Sequence, residues 1–219
     1  MSATGWTVVL GVIVGGCGGV GESGGGGGDV GSDVVAEDVD SAPDAPVAGA
    51  TEVDTIRIEG MAEAIEVQRV ESPPGFAAQF TTTAPADMRV DFIEAGEGQE
   101  ARFTAAFAGT HTPAATFRFV PLPGADSEVE AREQVAAVAG QHSAAAREPP
   151  LRDWAVEEYA LSGERSGFIG LGRAADVWYY FQASYPPEYG DGMGPRIDLI
   201  LRNWRWMPEG EPLTRDSEG

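Results

Sequence analysis

The sequence VWYYF at residues 177–181 decides the fold. Five consecutive apolar residues leave no polar face on a strand, so this segment predicts a strand that is covered on both sides. Such a strand lies inside a sheet, and at least one of its faces needs a helix as cover. We therefore expect a central strand over residues 176–185.

The segments on either side of this strand predict its neighbours. Residues 154–161 and 167–173 are expected to form strands. After the central strand the apolar period becomes that of a helix, at i, i+3, i+4 and i+7: Ile197, Ile200, Leu201 and Trp204. Pro195 precedes these positions and suits the first turn of the helix. The sequence WRW at 204–206 alternates again, which predicts a short strand that closes the sheet.

The first half of the chain predicts an antiparallel sheet with one wet face. Apolar and polar residues alternate with period two, and turn residues separate the runs. The alternating segments are residues 56–58, 65–70, 76–80, 88–92, 103–107 and 117–119. Strands that are polar on one face expose that face to water, as antiparallel sheets commonly do.

A helix is predicted to begin at Ser127. Ser127 and Glu130 have the spacing of a capping box, and the helix ends before the two prolines at 149–150. The fold class predicted from all these elements is α+β, a mainly antiparallel sheet with helices packed on it. We expect a single globular domain at residues 54–208 and a polar C-terminal tail at 209–219.

The order of elements in the second half resembles the PsbP-like family, whose domains are α/β/α sandwiches. The matching parts are the hairpin at 167–181, the sequence YPPEY at 185–189, the helix at 197–201 and the sequence NWRW at 203–206. The similarity extends over residues 76–207 and contains no catalytic motif. It implies a PsbP-like α/β/α sandwich that acts as a binding or assembly scaffold, because members of this family are mostly not enzymes.

The amino terminus resembles a bacterial lipoprotein signal peptide. Cys17 is the only cysteine, and it follows an apolar run at 6–14 and two glycines. That run is too short to span a bilayer, which needs roughly 20 apolar residues, but it suits a signal peptide. The resemblance implies that residues 1–16 are removed and that Cys17 carries lipid such as palmitate. An ordinary secretory peptide with an incidental cysteine is the alternative.

Residues 17–53 predict a flexible tether between this anchor and the domain. Five glycines at 24–28 are followed by an acidic stretch of small residues. Such a segment has too little apolar surface to offset the entropy of ordering it. A phosphate-binding loop is not predicted, because the glycines lack both a preceding strand and a terminal Lys. The expected location is the cell envelope, lipid-anchored on the periplasmic or extracellular face.

The charge of the chain is strongly one-sided. The formal net charge is −21, and all 14 basic residues are Arg. Acid excess without Lys suggests a halophilic source, because high salt screens carboxylate repulsion. GC-rich codons alone would explain the missing Lys but not the acids. The same charge argues against nucleic acid as a partner and against a polybasic membrane contact.

No catalytic, metal or cofactor site is predicted. The two histidines, His111 and His142, fall in different elements, and Glu157 and Glu158 point to opposite faces of one strand. The glycine-rich segment at 185–195 is the candidate ligand or partner loop, with a hard cation as one possible ligand. Its candidate residues are Tyr185, Glu188, Tyr189 and Asp191. Six aromatic residues are candidates for a small-molecule groove or for the core: Trp178, Tyr180, Tyr185, Tyr189, Trp204 and Trp206.

Two functional hypotheses follow for the folded domain. The first is a non-enzymatic, membrane-tethered envelope lipoprotein that binds a protein partner, which requires an exposed apolar patch on the sheet or beside residues 185–195. The alternative is a carrier or sensor of a small ligand or cation, which requires a concave pocket. An enzyme would need convergent titratable groups, and the sequence indicates none.

Overall fold

The computed structural model describes residues 52–95, 98–107 and 109–213. The predicted signal peptide, Cys17, nearly all of the predicted tether and the last six residues lie outside the described residues. Strands make up 53% of the described residues and helices 19%. None of the helices in this part of the chain is long and apolar enough to span a membrane.

Twelve strands and two α-helices are described. In chain order they are β1 (Glu52–Ile58), β2 (Met61–Glu71), β3 (Phe80–Pro85), β4 (Met88–Ala95), β5 (Gly98–Phe107), β6 (Thr110–Leu122), α1 (Glu128–Gln141), β7 (Ala145–Arg147), β8 (Glu157–Leu161), β9 (Ser166–Ala174), β10 (Val177–Tyr185), α2 (Gly190–Arg202), β11 (Arg205–Trp206) and β12 (Glu211–Pro212). A 3₁₀ turn at Pro187–Tyr189 joins β10 to α2. The first strand begins two residues before the predicted domain, and β12 lies within the predicted tail.

The strands form two antiparallel sheets. The larger sheet has seven strands in the order β4-β5-β6-β10-β9-β8-β7, and the smaller has five in the order β1-β2-β3-β11-β12. The prediction of a central strand is confirmed, because β10 is the fourth of seven and is buried at all its inner positions. Phe181 of β10 lies directly opposite Phe119 of β6 and Gly170 of β9.

Each face of β10 contributes to a different core. On one face, side chains from both sheets and from α2 form the main cluster, whose aromatic members include Phe80, Phe117, Phe119, Phe181 and Trp204. On the other face, α1 covers a second cluster that includes Ile169, Leu171, Trp178 and Tyr180. The predicted capping box of α1 is confirmed, with Ser127 and Glu130 bonded to each other's backbone N–H.

The start of α2 differs from the prediction. Pro195 was expected in the first turn, but the helix begins at Gly190 and contains Pro195 in its interior. Contacts from elsewhere in the fold hold this glycine-rich start: Tyr189 stacks on Phe107 with ring centroids 4.4 Å apart. The Phe107 ring also lies so close to Gly192 that a Cβ there would come within 2.8 Å of it.

The predicted fold class, α+β with helices packed on the sheet, is wrong, and so is the PsbP-like α/β/α sandwich. The protein is β-rich, with two sheets and only two α-helices. The reason is strand pairing: β1, β2 and β3 pair with one another and then with β11, instead of extending the larger sheet. The strand predicted at 204–206 therefore joins the smaller sheet as β11, between β3 and β12, and Trp204 belongs to the core.

Candidate functional site

The described residues form a cleft of about 670 Å³. Its walls come from four segments that are distant in sequence. They are the residues before β3 (77–79), the loop before β8 (153–154), the turn between β9 and β10 (173–177), and the β11–β12 hairpin (206–213). The cleft therefore lies where the smaller sheet meets an end of the β9–β10 hairpin.

Three aromatic side chains line the inner part of this cleft: Trp154, Tyr179 and Trp206. The ring centroids of Tyr179 and Trp206 are 4.9 Å apart, and those of Tyr179 and Trp154 are 6.3 Å apart. Tyr179 is only 1% exposed, yet no hydrogen bond among the described residues uses its hydroxyl. Burial raises the pKa of Tyr179, so the hydroxyl keeps its proton and can donate a hydrogen bond at neutral pH.

Two glycines of β9 make room for these rings. A Cβ at Gly170 would lie 2.6 Å from Cη2 of Trp154, and a Cβ at Gly172 would lie 2.5 Å from Cζ of Tyr179. Leu171 between them points to the other face of the strand, where it joins the second core. The alternation Gly-Leu-Gly thus lets two aromatic rings lie against the backbone of β9.

The outer part of the cleft is acidic. Asp153, Glu209 and Glu211 line it and are exposed. Arg173 also borders the cleft, but its side chain lies on the opposite face of the hairpin. Arg173 is directly opposite Trp178, and the Trp178 side chain belongs to the second core on that face. The guanidinium of Arg173 lies 5.3 Å from the Trp178 ring centroid and 3.6 Å from the Asp176 carboxylate. The side chains that reach the cleft therefore give it negative charge.

A buried carboxylate holds the loop that carries Trp154. Glu158 is fully buried and accepts hydrogen bonds from the backbone N–H groups of Leu151 (3.2 Å) and Arg152 (3.3 Å). The guanidinium of Arg152 also donates to it, at 2.9 Å, and that of Arg147 at 3.3 Å. Arg152 in turn lies over the Phe168 ring. As predicted, Glu157 points the other way, toward Arg132.

The four residues predicted for the 185–195 loop do not line the cleft. Tyr185 is half-buried at the end of β10, and burial raises its pKa. Glu188 and Tyr189 belong to the 3₁₀ turn, and Asp191 lies in the first turn of α2. Among residues 52–95, 98–107 and 109–213, no three His, Cys, Asp or Glu side chains lie close enough to hold a metal ion.

Only one of the six aromatic residues predicted for a groove reaches the cleft, namely Trp206. Trp178 and Tyr180 lie beneath α1, and Trp204 stacks on Phe80 in the main core. Sequence analysis missed Trp154 and Tyr179 as site residues. The available signal was the pleat of β10, which points Tyr179 away from its neighbours 178 and 180, toward the face of β9 that carries Gly170 and Gly172.

Comparison with known proteins adds little to this geometry. No family model and no curated protein matches the chain. A crystal structure of a protein from Bacteroides thetaiotaomicron VPI-5482, at 1.50 Å resolution, is similar with a TM-score of 0.40 and 16% sequence identity. The similarity covers 66% of this chain and 50% of that chain, so this chain spans half the length of its neighbour. A likeness this weak supports no conclusion about fold or function.

Proposed function

We propose that the domain is a non-enzymatic binding protein for a small organic ligand, which occupies the aromatic cleft. The observation that carries this proposal is the aromatic lining of the cleft by Trp154, Tyr179 and Trp206, where the Tyr179 hydroxyl has no partner among the described residues. A phenol hydroxyl that has no protein partner at the wall of a cleft is available to bond a ligand that enters it. The cleft volume is also within the range of small-molecule sites.

The chemistry of the cleft favours a positively charged ligand. Tryptophan and tyrosine faces attract ammonium groups, and the attraction is strongest where water is excluded. Asp153, Glu209 and Glu211 add negative charge at the entrance, which raises the local concentration of cations. We therefore propose an organic ammonium ion as the class of ligand.

A protein partner remains a second proposal, with less support. The large apolar side chains that are exposed in the described residues lie on several elements: Val53, Met61, Phe92, Val129, Leu151, Val156 and Met207. None of them belongs to the segment 185–195. These exposed side chains therefore provide no apolar patch for a protein partner at that segment. The small-ligand hypothesis requires a pocket, and the cleft is one.

The ligand proposal predicts selective binding of choline. Choline should quench tryptophan fluorescence saturably, because Trp154 and Trp206 border the cleft. Its neutral analogue 3,3-dimethyl-1-butanol has the same shape without the charge, and it should bind about tenfold more weakly if cation–π attraction contributes about 1–2 kcal/mol. Tyr179→Phe removes the hydrogen bond that the Tyr179 hydroxyl would donate to the choline hydroxyl, and it should weaken choline binding about three- to tenfold.

Tyr180→Phe is the matched control for this experiment. Tyr180 is the next residue of β10 but lies under α1 on the opposite face, so its hydroxyl should not affect binding. Equal affinities for choline and its neutral analogue would refute the ammonium class. A Tyr179→Phe variant that binds as well as the wild type would refute the role given to the hydroxyl.

We also propose that Cys17 anchors the mature protein to a membrane of the cell envelope. The support is the sequence alone: a sole cysteine that follows a short apolar run and two glycines. A metabolically incorporated palmitate analogue should label the wild type and should not label Cys17→Ser, since the thiol is the attachment point. Gel detection of the label checks this, and equal labelling of both proteins would disprove the anchor.

A further inference from the structure

A groove on the outer face of the larger sheet holds an unusual concentration of arginine. Its volume is about 210 Å³, and its lining consists of Arg89, Arg102, Thr104, Pro113, Thr116 and Arg118. The groove is independent of the aromatic cleft, with which it shares no lining residue. In a chain with a net charge of −21, three arginines around one groove need a local explanation.

Strand register forces these side chains together. Arg102 of β5 lies directly opposite Arg118 of β6, and Thr104 lies directly opposite Thr116. Arg89 of β4 lies opposite Thr104 on the other side. Side chains that face each other across an antiparallel pair have Cβ atoms only about 5 Å apart, and like charges in such positions repel. The pair Arg102–Arg118 therefore needs negative charge beside it.

The carboxylates nearby do not neutralise the groove. Glu100, which is 7% exposed, forms ion pairs with both Arg102 and Arg118, and Asp91 bonds Nε of Arg89 at 2.8 Å. Two carboxylates thus face three guanidinium groups, which leaves a local charge of +1. In the described residues no hydrogen bond uses Nη1 or Nη2 of Arg89, or Nε or Nη1 of Arg102. Several charged donors at the groove are therefore available.

A threonine whose hydroxyl makes no hydrogen bond in the described residues also lines the groove. Thr104 is only 3% exposed and lines the groove, yet its Oγ1 has no hydrogen bond among the described residues. The strand pairing opens at this point, since the register shifts between the pairs Thr104–Thr116 and Ala106–His111. Four residues of β6, 112–115, therefore lie opposite a single residue of β5, residue 105. Bulges commonly occur beside binding sites.

We propose that this groove binds a small oxyanion, a phosphate, sulfate or carboxylate group. Arg89 and Arg102 would donate their unused N–H groups, and Thr104 would donate its hydroxyl. Arginine donors in a planar fork match the oxygen atoms of such anions, and hydrogen bonds between ionised groups are the strong ones. The anion would offset the local charge of +1 that Glu100 and Asp91 leave around the three arginines.

The test is isothermal titration calorimetry of the full-length protein with inorganic phosphate, sulfate and acetate at low ionic strength. One anion should bind per molecule, and the strongest of the three probes identifies the class. Overall charge repels anions from this protein, so saturable binding reports a local site. Arg89→Gln should weaken binding at least about tenfold, and Thr104→Val should weaken it by a smaller factor.

Arg69→Gln is the matched control. Arg69, like Arg89, lies on a strand and pairs with an acid two residues later, Glu71 at 4.0 Å, but it lies outside the groove. Its replacement should leave the affinity unchanged. Failure of all three anions to bind would overturn the proposal, as would equal affinity of wild type and Arg89→Gln. Arg89 is largely exposed, so this variant should fold and decides the question even if Thr104→Val does not fold.

Discussion

Replacing Phe119 by alanine is expected to lower the free energy of unfolding by about 3–5 kcal/mol, the usual cost of deleting a buried aromatic ring. The Phe119 side chain is fully buried on β6 at the junction of the two sheets. Its ring centroid lies within 6 Å of six others: Phe76, Phe80, Tyr179, Phe181, Trp204 and Trp206. No neighbour can fill the resulting cavity without giving up contacts of its own.

Urea denaturation followed by circular dichroism measures this loss, and Phe92→Ala is the control. Phe92 belongs to the same group of rings, with centroids 5.8 Å from Phe76 and 6.2 Å from Phe80, but it is 38% exposed. Its replacement should cost about 1 kcal/mol, because water already reaches the ring. Equal costs for the two variants would contradict the central position that the structure gives to Phe119.

Replacing Glu158 by alanine should destabilise the domain by about 3 kcal/mol and also abolish binding in the aromatic cleft. The change removes the partner of Arg147 and Arg152 and leaves the N–H groups of Leu151 and Arg152 unpaired. Breaking a buried ion pair commonly costs about 3–5 kcal/mol. The lower end applies here because both arginines are partly exposed and can turn to water.

The loss of binding separates this effect from simple destabilisation. Glu158 holds the loop that positions Trp154, so choline titration should fail even at temperatures where the variant is folded. Glu157→Ala is the control: its carboxylate pairs with Arg132 on the other face of β8 and should cost about 1 kcal/mol or less. Wild-type choline affinity in the folded Glu158→Ala variant would show that the loop does not depend on this carboxylate.

Elements set by local pattern could be predicted from the sequence. The VWYYF run identified β10 as the central strand, because a strand that is buried on both faces has consecutive apolar residues, and these are visible in the sequence itself. The capping box at Ser127 is likewise local, since donor and acceptor are three residues apart. The start of α2 could not be predicted, because residues 190–195 have no helical apolar period and Phe107 and Tyr189 hold them from outside.

The fold class and the cleft depend on pairings that alternation does not encode. The period of residues 65–70 shows that one face of β2 is buried, but not that β2 pairs with β3 in a second sheet. The position of the cleft could not be predicted for the same reason. Glycines near Asp191 suggested an open loop, whereas the four cleft segments come together only through the meeting of two sheets.

The smaller sheet joins the two ends of the domain, and this has a consequence for the order of folding. β3 pairs with β11, and the Thr82 hydroxyl donates to the Ile200 carbonyl 118 positions later in the chain. During synthesis β1, β2 and β3 emerge and can pair with one another long before β11, so the other edge of β3 stays unpaired until residues 205–206 have been made. Such distant contacts slow folding. The two cleft walls at 77–79 and 206–213 meet only after residues 206–213 have been made, so a ligand in the cleft binds only chains that contain both segments and stabilises them by mass action.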